Sequence, residues 1–130
     1  MVHSFTTNMN IQRIALMIAI LFSCITIIAQ SDYYMKQARL YQREAEYYTK
    51  QASGYDREAD YYNRQARGFL HEAEYYSKRG KYDQVRSYQR RAKDATERSE
   101  AYSRKADNAR DKAKTYMHKA EDAMEKAKGR

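Results

Sequence analysis

The feature that most limits what this chain can fold into is a pair of residue rows locked to a seven-residue period. Tyr34, Tyr41, Tyr48, Tyr55, Tyr62, Phe69 and Tyr76 form one row. Ala38, Ala45, Ala52, Ala59, Ala66, Ala73 and Gly80 form the other, four residues further on each time. Rows spaced four and then three apart are the d and a positions of a heptad, which place both on one face of a long helix. A second heptad frame follows in a new phase. Its a row is Ala92, Ser99, Ala106, Ala113, Ala120 and Ala127, and its d row Tyr88, Ala95, Tyr102, Ala109, Tyr116 and Ala123.

Between the frames the phase slips by five residues, more than the three or four of an ordinary coiled-coil discontinuity. The slip falls at Lys78-Arg79-Gly80-Lys81, so it reads as a turn, with Gly80 in the left-handed position that ends a helix. Ser31 is expected to cap the first helix, and Asp83 sits at the start of the second. The fold expected is therefore all-α: a long antiparallel two-helix coiled-coil hairpin of Ala/Tyr heptads behind an N-terminal hydrophobic segment. The expected division is 1–30 for that segment, 31–79 for helix one, 80–81 for the turn and 82–128 for helix two. Each helix would be about 47 residues, or roughly 70 Å.

An antiparallel pair sets a against d, so bulky tyrosines would meet small residues and Tyr–Tyr contacts would be avoided. With the turn between Gly80 and Lys81, Tyr62 faces Ser99, Tyr102 faces Ala59 and Tyr88 faces Ala73. The g row of helix two is wholly basic: Arg91, Arg98, Lys105, Lys112, Lys119 and Lys126. It is expected to form ion pairs with Glu44, Glu58 and Glu72 on the g row of helix one.

The junction also resembles one of a tetratricopeptide repeat, carried by Tyr76, Gly80, Lys81, Tyr82, Asp83, Tyr88 and Ala92. The resemblance covers about twenty residues and lacks the family's roughly 34-residue period. It implies a helix–turn–helix here, with a tetratricopeptide-like adaptor as a lesser functional alternative.

Residues 1–30 differ in kind. Arg13 is their one formal charge, so 24 of the 25 basic and all 17 acidic side chains fall after them, a net +7. An apolar run from Ile14 to Ala29 follows Arg13. Three readings stay open: a signal peptide cut near Ala29; a lipobox-like Leu21-Phe22-Ser23-Cys24 that would lipidate Cys24; and an uncleaved N-terminal membrane anchor. Export to the periplasm, cell envelope or extracellular space is expected, with membrane association only if the segment is retained or Cys24 is lipidated.

Chemistry-bearing motifs are sparse. His71 and His118 fall at the solvated f position, no phosphate loop or zinc spacing occurs, and Cys24 is the one cysteine. The chain is expected to be no enzyme and to hold no cofactor or metal. Two surface features exceed what a two-helix seam needs. Tyr33, Tyr47, Tyr61 and Tyr75 recur every fourteen residues at c, where Gly54 and Gly68 also lie. Glycine inside a helix costs about 1 kcal/mol relative to alanine, so these six form a candidate interaction surface, suited to a homo-oligomer through helix one. Lys36, Arg43, Lys50, Arg57 and Arg64 run along f as candidate polyanion contacts. Function is expected to be that of an exported structural or interaction protein acting as a coiled-coil rod, its envelope or extracellular partner unknown. The alternative is a membrane- or polyanion-associated binding protein.

Overall fold

The structure, a computed structural model, describes residues 2–129, with side chains from residue 8 onward among those of the N-terminal end. It is all-α: helix α1 spans Val2–Ser77 and helix α2 spans Tyr82–Ala127, packed against each other as a hairpin. Helix α1 runs through Ser31 without a break, so with residues 1–30 attached Ser31 caps nothing. Two compact units divide the chain. One is residues 1–41 with 118–130, and the other is residues 42–117.

The connection is a Schellman turn. The Lys81 N–H donates to the Tyr76 carbonyl and the Gly80 N–H to the Ser77 carbonyl, each at 3.1 Å. This pair satisfies carbonyls that the end of α1 would otherwise leave without partners. Gly80 takes φ +69°, a backbone state that costs a residue with a Cβ. The Val85 N–H then donates to the Lys81 carbonyl at 3.2 Å, which starts α2. Asp83 lies in the first turn, where its charge suits the helix dipole, and it pairs with Arg86.

The second unit shows how the seam is built. Its buried side chains are all alanines: Ala45, Ala52, Ala59, Ala66 and Ala73 from α1, and Ala92, Ala95, Ala106, Ala109 and Ala113 from α2. Every one occupies the a or d row read from the sequence. The first unit continues the rule with Ala38, Ala120 and Ala123. No polar or charged residue is buried among the described residues. The Ser99 hydroxyl donates across the seam to the Ala59 carbonyl at 2.8 Å, a contact that the small groups on both sides permit.

Two expectations about the seam are corrected. Tyrosines do not avoid one another: Tyr48 stacks on Tyr116, Tyr62 on Tyr102 and Tyr76 on Tyr88, with centroids 5.6–5.7 Å apart and planes within about 11°. Tyr102 also meets Tyr55, and Tyr88 meets Phe69, both at 6.2 Å. A ring level with an alanine finds no ring opposite, but its own length carries it to the next layer, three or four residues away. The alanine that makes room for the ring also lets neighbouring rings close over it.

The second correction concerns charge. Among the described residues neither Glu58 nor Glu72 forms an ion pair with Lys105 or Arg91. Lys105 instead lies over the rings of Tyr55 and Tyr102, at 5.9 and 5.0 Å, and Arg91 over Tyr88 at 5.2 Å. The d rings flank the g row, so they reach the g cations before the opposing carboxylates do. An ion pair does cross between helices on the other rim, at e, where Arg110 donates to Asp56 at 2.6 Å. Arg110 also donates to Asp107 at 2.7 Å. Those two hydrogen bonds, that to Asp107 foremost, raise the guanidinium pKa further above its already high value.

Candidate functional site

The c-row tyrosines are exposed: 57% for Tyr33 and Tyr47, 48% for Tyr61 and Tyr75. They do not stand out from α1. Each rests edge-on against the seam tyrosine that follows it, with centroids 5.1–5.3 Å apart. One turn on, a g-row side chain holds the far end. Gln65 donates to the Tyr61 hydroxyl at 2.9 Å, Gln37 and Gln51 lie 3.4 and 3.5 Å from Tyr33 and Tyr47, and Arg79 covers the Tyr75 ring at 3.5 Å.

These contacts account for the fourteen-residue period. Glutamine occupies g after Tyr33, Tyr47 and Tyr61 at c, arginine after Tyr75, and glutamate occupies g in the alternate heptads. The glutamines were not singled out from the sequence. The signal was present in their i, i+4 spacing from each tyrosine, which brings two side chains together on one helix face.

Gly54 and Gly68 serve no internal contact. A Cβ at Gly68 would meet nothing within 4 Å, and one at Gly54 only the Arg57 Nη2 at 3.9 Å. Neither has positive φ. In the second unit, Tyr47, Gly54, Tyr61, Gly68 and Tyr75 thus follow one helical line of half-exposed rings and open notches.

Of the f-row cations, Arg64 pairs with Asp60 at 3.4 Å. Lys36, Arg43, Lys50 and Arg57 are exposed and enter no ion pair among the described residues. His118 Nδ1 lies 3.7 Å from Glu121, on the surface. Among the described residues no group of His, Cys, Asp and Glu side chains is placed to hold a metal ion.

In the first unit, the apolar part of α1 contains an 18-residue window of mean hydropathy 2.3, none of it buried. Ile14, Leu21, Phe22 and Ile28 are all more than half exposed. The polar interruptions are neutralised within the helix: Ser23 and Thr26 donate to the Ala19 and Phe22 carbonyls at 2.9 and 2.8 Å. Such back-bonding keeps hydroxyls satisfied where no water is present. Cys24 is a free, exposed thiol. No known protein family, curated protein or solved structure matches the chain.

Proposed function

We propose that this chain is an exported, non-catalytic coiled-coil protein of the cell envelope or extracellular space, serving a structural or interaction role. The observation that carries the reading is the alanine seam of the second unit. It fully buries only alanines and leaves most charges and the c-row tyrosines exposed to meet other molecules. The exposed apolar window of α1 supports export or anchoring, because that surface has no place in water. N-terminal sequencing with intact mass of the native protein tests this. A start near Ser31, a lipid on Cys24, or an intact N-terminus in the membrane fraction would each fit one route. An intact chain in the soluble cytosolic fraction would refute export.

The partner best supported is a second copy. Two α1 helices laid antiparallel place Tyr47 against Gly68 and Tyr61 against Gly54 under one two-fold axis, an isologous contact. The same axis sets f beside f, bringing Arg57 near its counterpart, so added salt should tighten this dimer. Sedimentation of the full chain in uncharged detergent, with and without Gly54→Leu and Gly68→Leu together, is the test. Monomers for both proteins would end this reading.

The alternative function is binding to a polyanion or an anionic membrane surface through basic helix faces. Its support is the exposure of Lys36, Arg43, Lys50 and Arg57 along one line. Salt-dependent retention on an anionic matrix separates it from the purely structural role.

A further inference from the structure

From Arg91 onward row g of α2 is basic at every heptad, and in the second unit it runs Arg91, Arg98, Lys105, Lys112. None of the four forms an ion pair among the described residues. Each lies over a seam ring instead: Arg91 over Tyr88 at 5.2 Å, Arg98 over Tyr62 at 5.6 Å, Lys105 over Tyr102 at 5.0 Å and Lys112 over Tyr48 at 5.4 Å. A ring face positions a cation through its quadrupole without cancelling its charge. These four are therefore held in place and still charged, unlike the f-row cations of α1, which no ring holds.

The row is also periodic. Successive cations are seven residues apart, hence about 10.5 Å. Between Arg91 and Arg98, where α2 carries Ala95 in place of tyrosine, a groove opens that Gln65, Tyr62 and Asp94 also line. One period on, between Lys105 and Lys112, the sequence repeats this set with Ala109, Gln51 and Tyr48, and replaces the aspartate by Asn108. Gln65 donates through Nε2 to Tyr61, which leaves its Oε1 to accept from an incoming hydroxyl.

We propose that this row, from Arg91 to Lys112, is a binding face for a linear acidic polysaccharide. It rests on the polyanion alternative above and moves the site from the f row of α1 to the g row of α2. Charge spacing selects the ligand. Duplex DNA carries one charge per about 1.7 Å of axis, far denser than these cations can meet. A polysaccharide with one carboxylate per disaccharide spaces its charges on the scale of a heptad. Single-stranded nucleic acid gains its affinity from bases stacked on open aromatic faces, and here cations already cover those faces. Asp94 and the opposing Glu58 and Glu72 border the row, so densely charged segments gain less than sparsely charged ones that avoid them.

The test uses the whole 130-residue chain in uncharged detergent, with hyaluronate as the one-carboxylate-per-disaccharide probe and dextran sulfate and single-stranded DNA as comparisons. Changing Arg91, Arg98, Lys105 and Lys112 together to Gln should weaken hyaluronate binding by about ten-fold or more, since each cation contributes to the salt-dependent affinity. Changing Arg43, Lys50, Arg57 and Arg64 to Gln removes the same charge and should weaken it less than about three-fold. Lys105→Arg with Lys112→Arg should retain binding. If circular dichroism shows the quadruple variant unfolded, the pairs 91/98 and 105/112 are tested separately, each expected to lose part of the affinity. Equal losses from the two rows, or tighter binding to DNA than to hyaluronate, would overturn the assignment. Binding of dextran sulfate without hyaluronate would also overturn it while leaving the broader polyanion reading intact. Binding of none of the three would remove both.

Discussion

Ala59 shows how much a single small side chain decides. It is 7% exposed, and its carbonyl receives the Ser99 hydroxyl. Replacing it by Leu puts three extra carbons into a filled seam, at a cost of about 1–3 kcal/mol. The same change at Arg57, on the solvated f row, should stay within about 0.5 kcal/mol. Urea titration of both variants checks the contrast, and equal effects would disprove the heptad frame. Two glycines invite the opposite comparison. Gly68→Ala should stabilise by about 0.5–1 kcal/mol, because its Cβ enters open space on a helical backbone. Gly80→Ala should destabilise by about 1 kcal/mol, since it must hold a left-handed φ. Thermal melts of the two variants should shift in opposite directions.

At the scale of the helices, the antiparallel pairing is measurable by distance. Spin labels at 58 and 105 should lie close across the g rim, whereas labels at 58 and 86 should be separated by about 25 Å along the axis. Near-equal distances would contradict the observed register. The alanine and tyrosine rows were legible in the sequence because strict spacing survives any detail of side-chain conformation. The Schellman turn was legible because Gly80 coincides with the phase slip. Ring stacking was not, since counting facing residues treats each layer as flat. A tyrosine is long enough to leave its own layer, as Tyr102 does between Tyr55 and Tyr62. The fate of the g cations was missed for a related reason. Charge alone pairs the carboxylates with ammonium and guanidinium groups, whereas the nearer ring faces compete for those cations. The glutamine clasps on Tyr33, Tyr47 and Tyr61 were visible only once spacing was read between rows instead of within one.

For the molecule as a whole, an alanine core has a thermodynamic signature. Unfolding heat capacity follows the apolar area exposed, and typical proteins reach about 12–15 cal/mol/K per residue. A seam with no large side chain fully buried should fall clearly below that range. Scanning calorimetry of the full chain in uncharged detergent checks it. A value inside the range would mean that substantially more apolar surface is covered in solution, and a concentration-dependent melting temperature would trace it to association.

The fourteen-residue recurrence has one more consequence. Shifting α2 against α1 by two heptads would return rings to rings, alanines to alanines and cations to ring faces, with few neighbours changed in kind. The packing therefore has further minima along the helix axis, each fitting as well per heptad but with two heptads less seam. What selects one is the short tether: a slide of about 21 Å cannot be spanned by the residues between Ser77 and Tyr82. Cutting the chain there should release a ladder of sliding registers, whereas a matched fourteen-residue insertion in both helices should lengthen the hairpin without disturbing its fit.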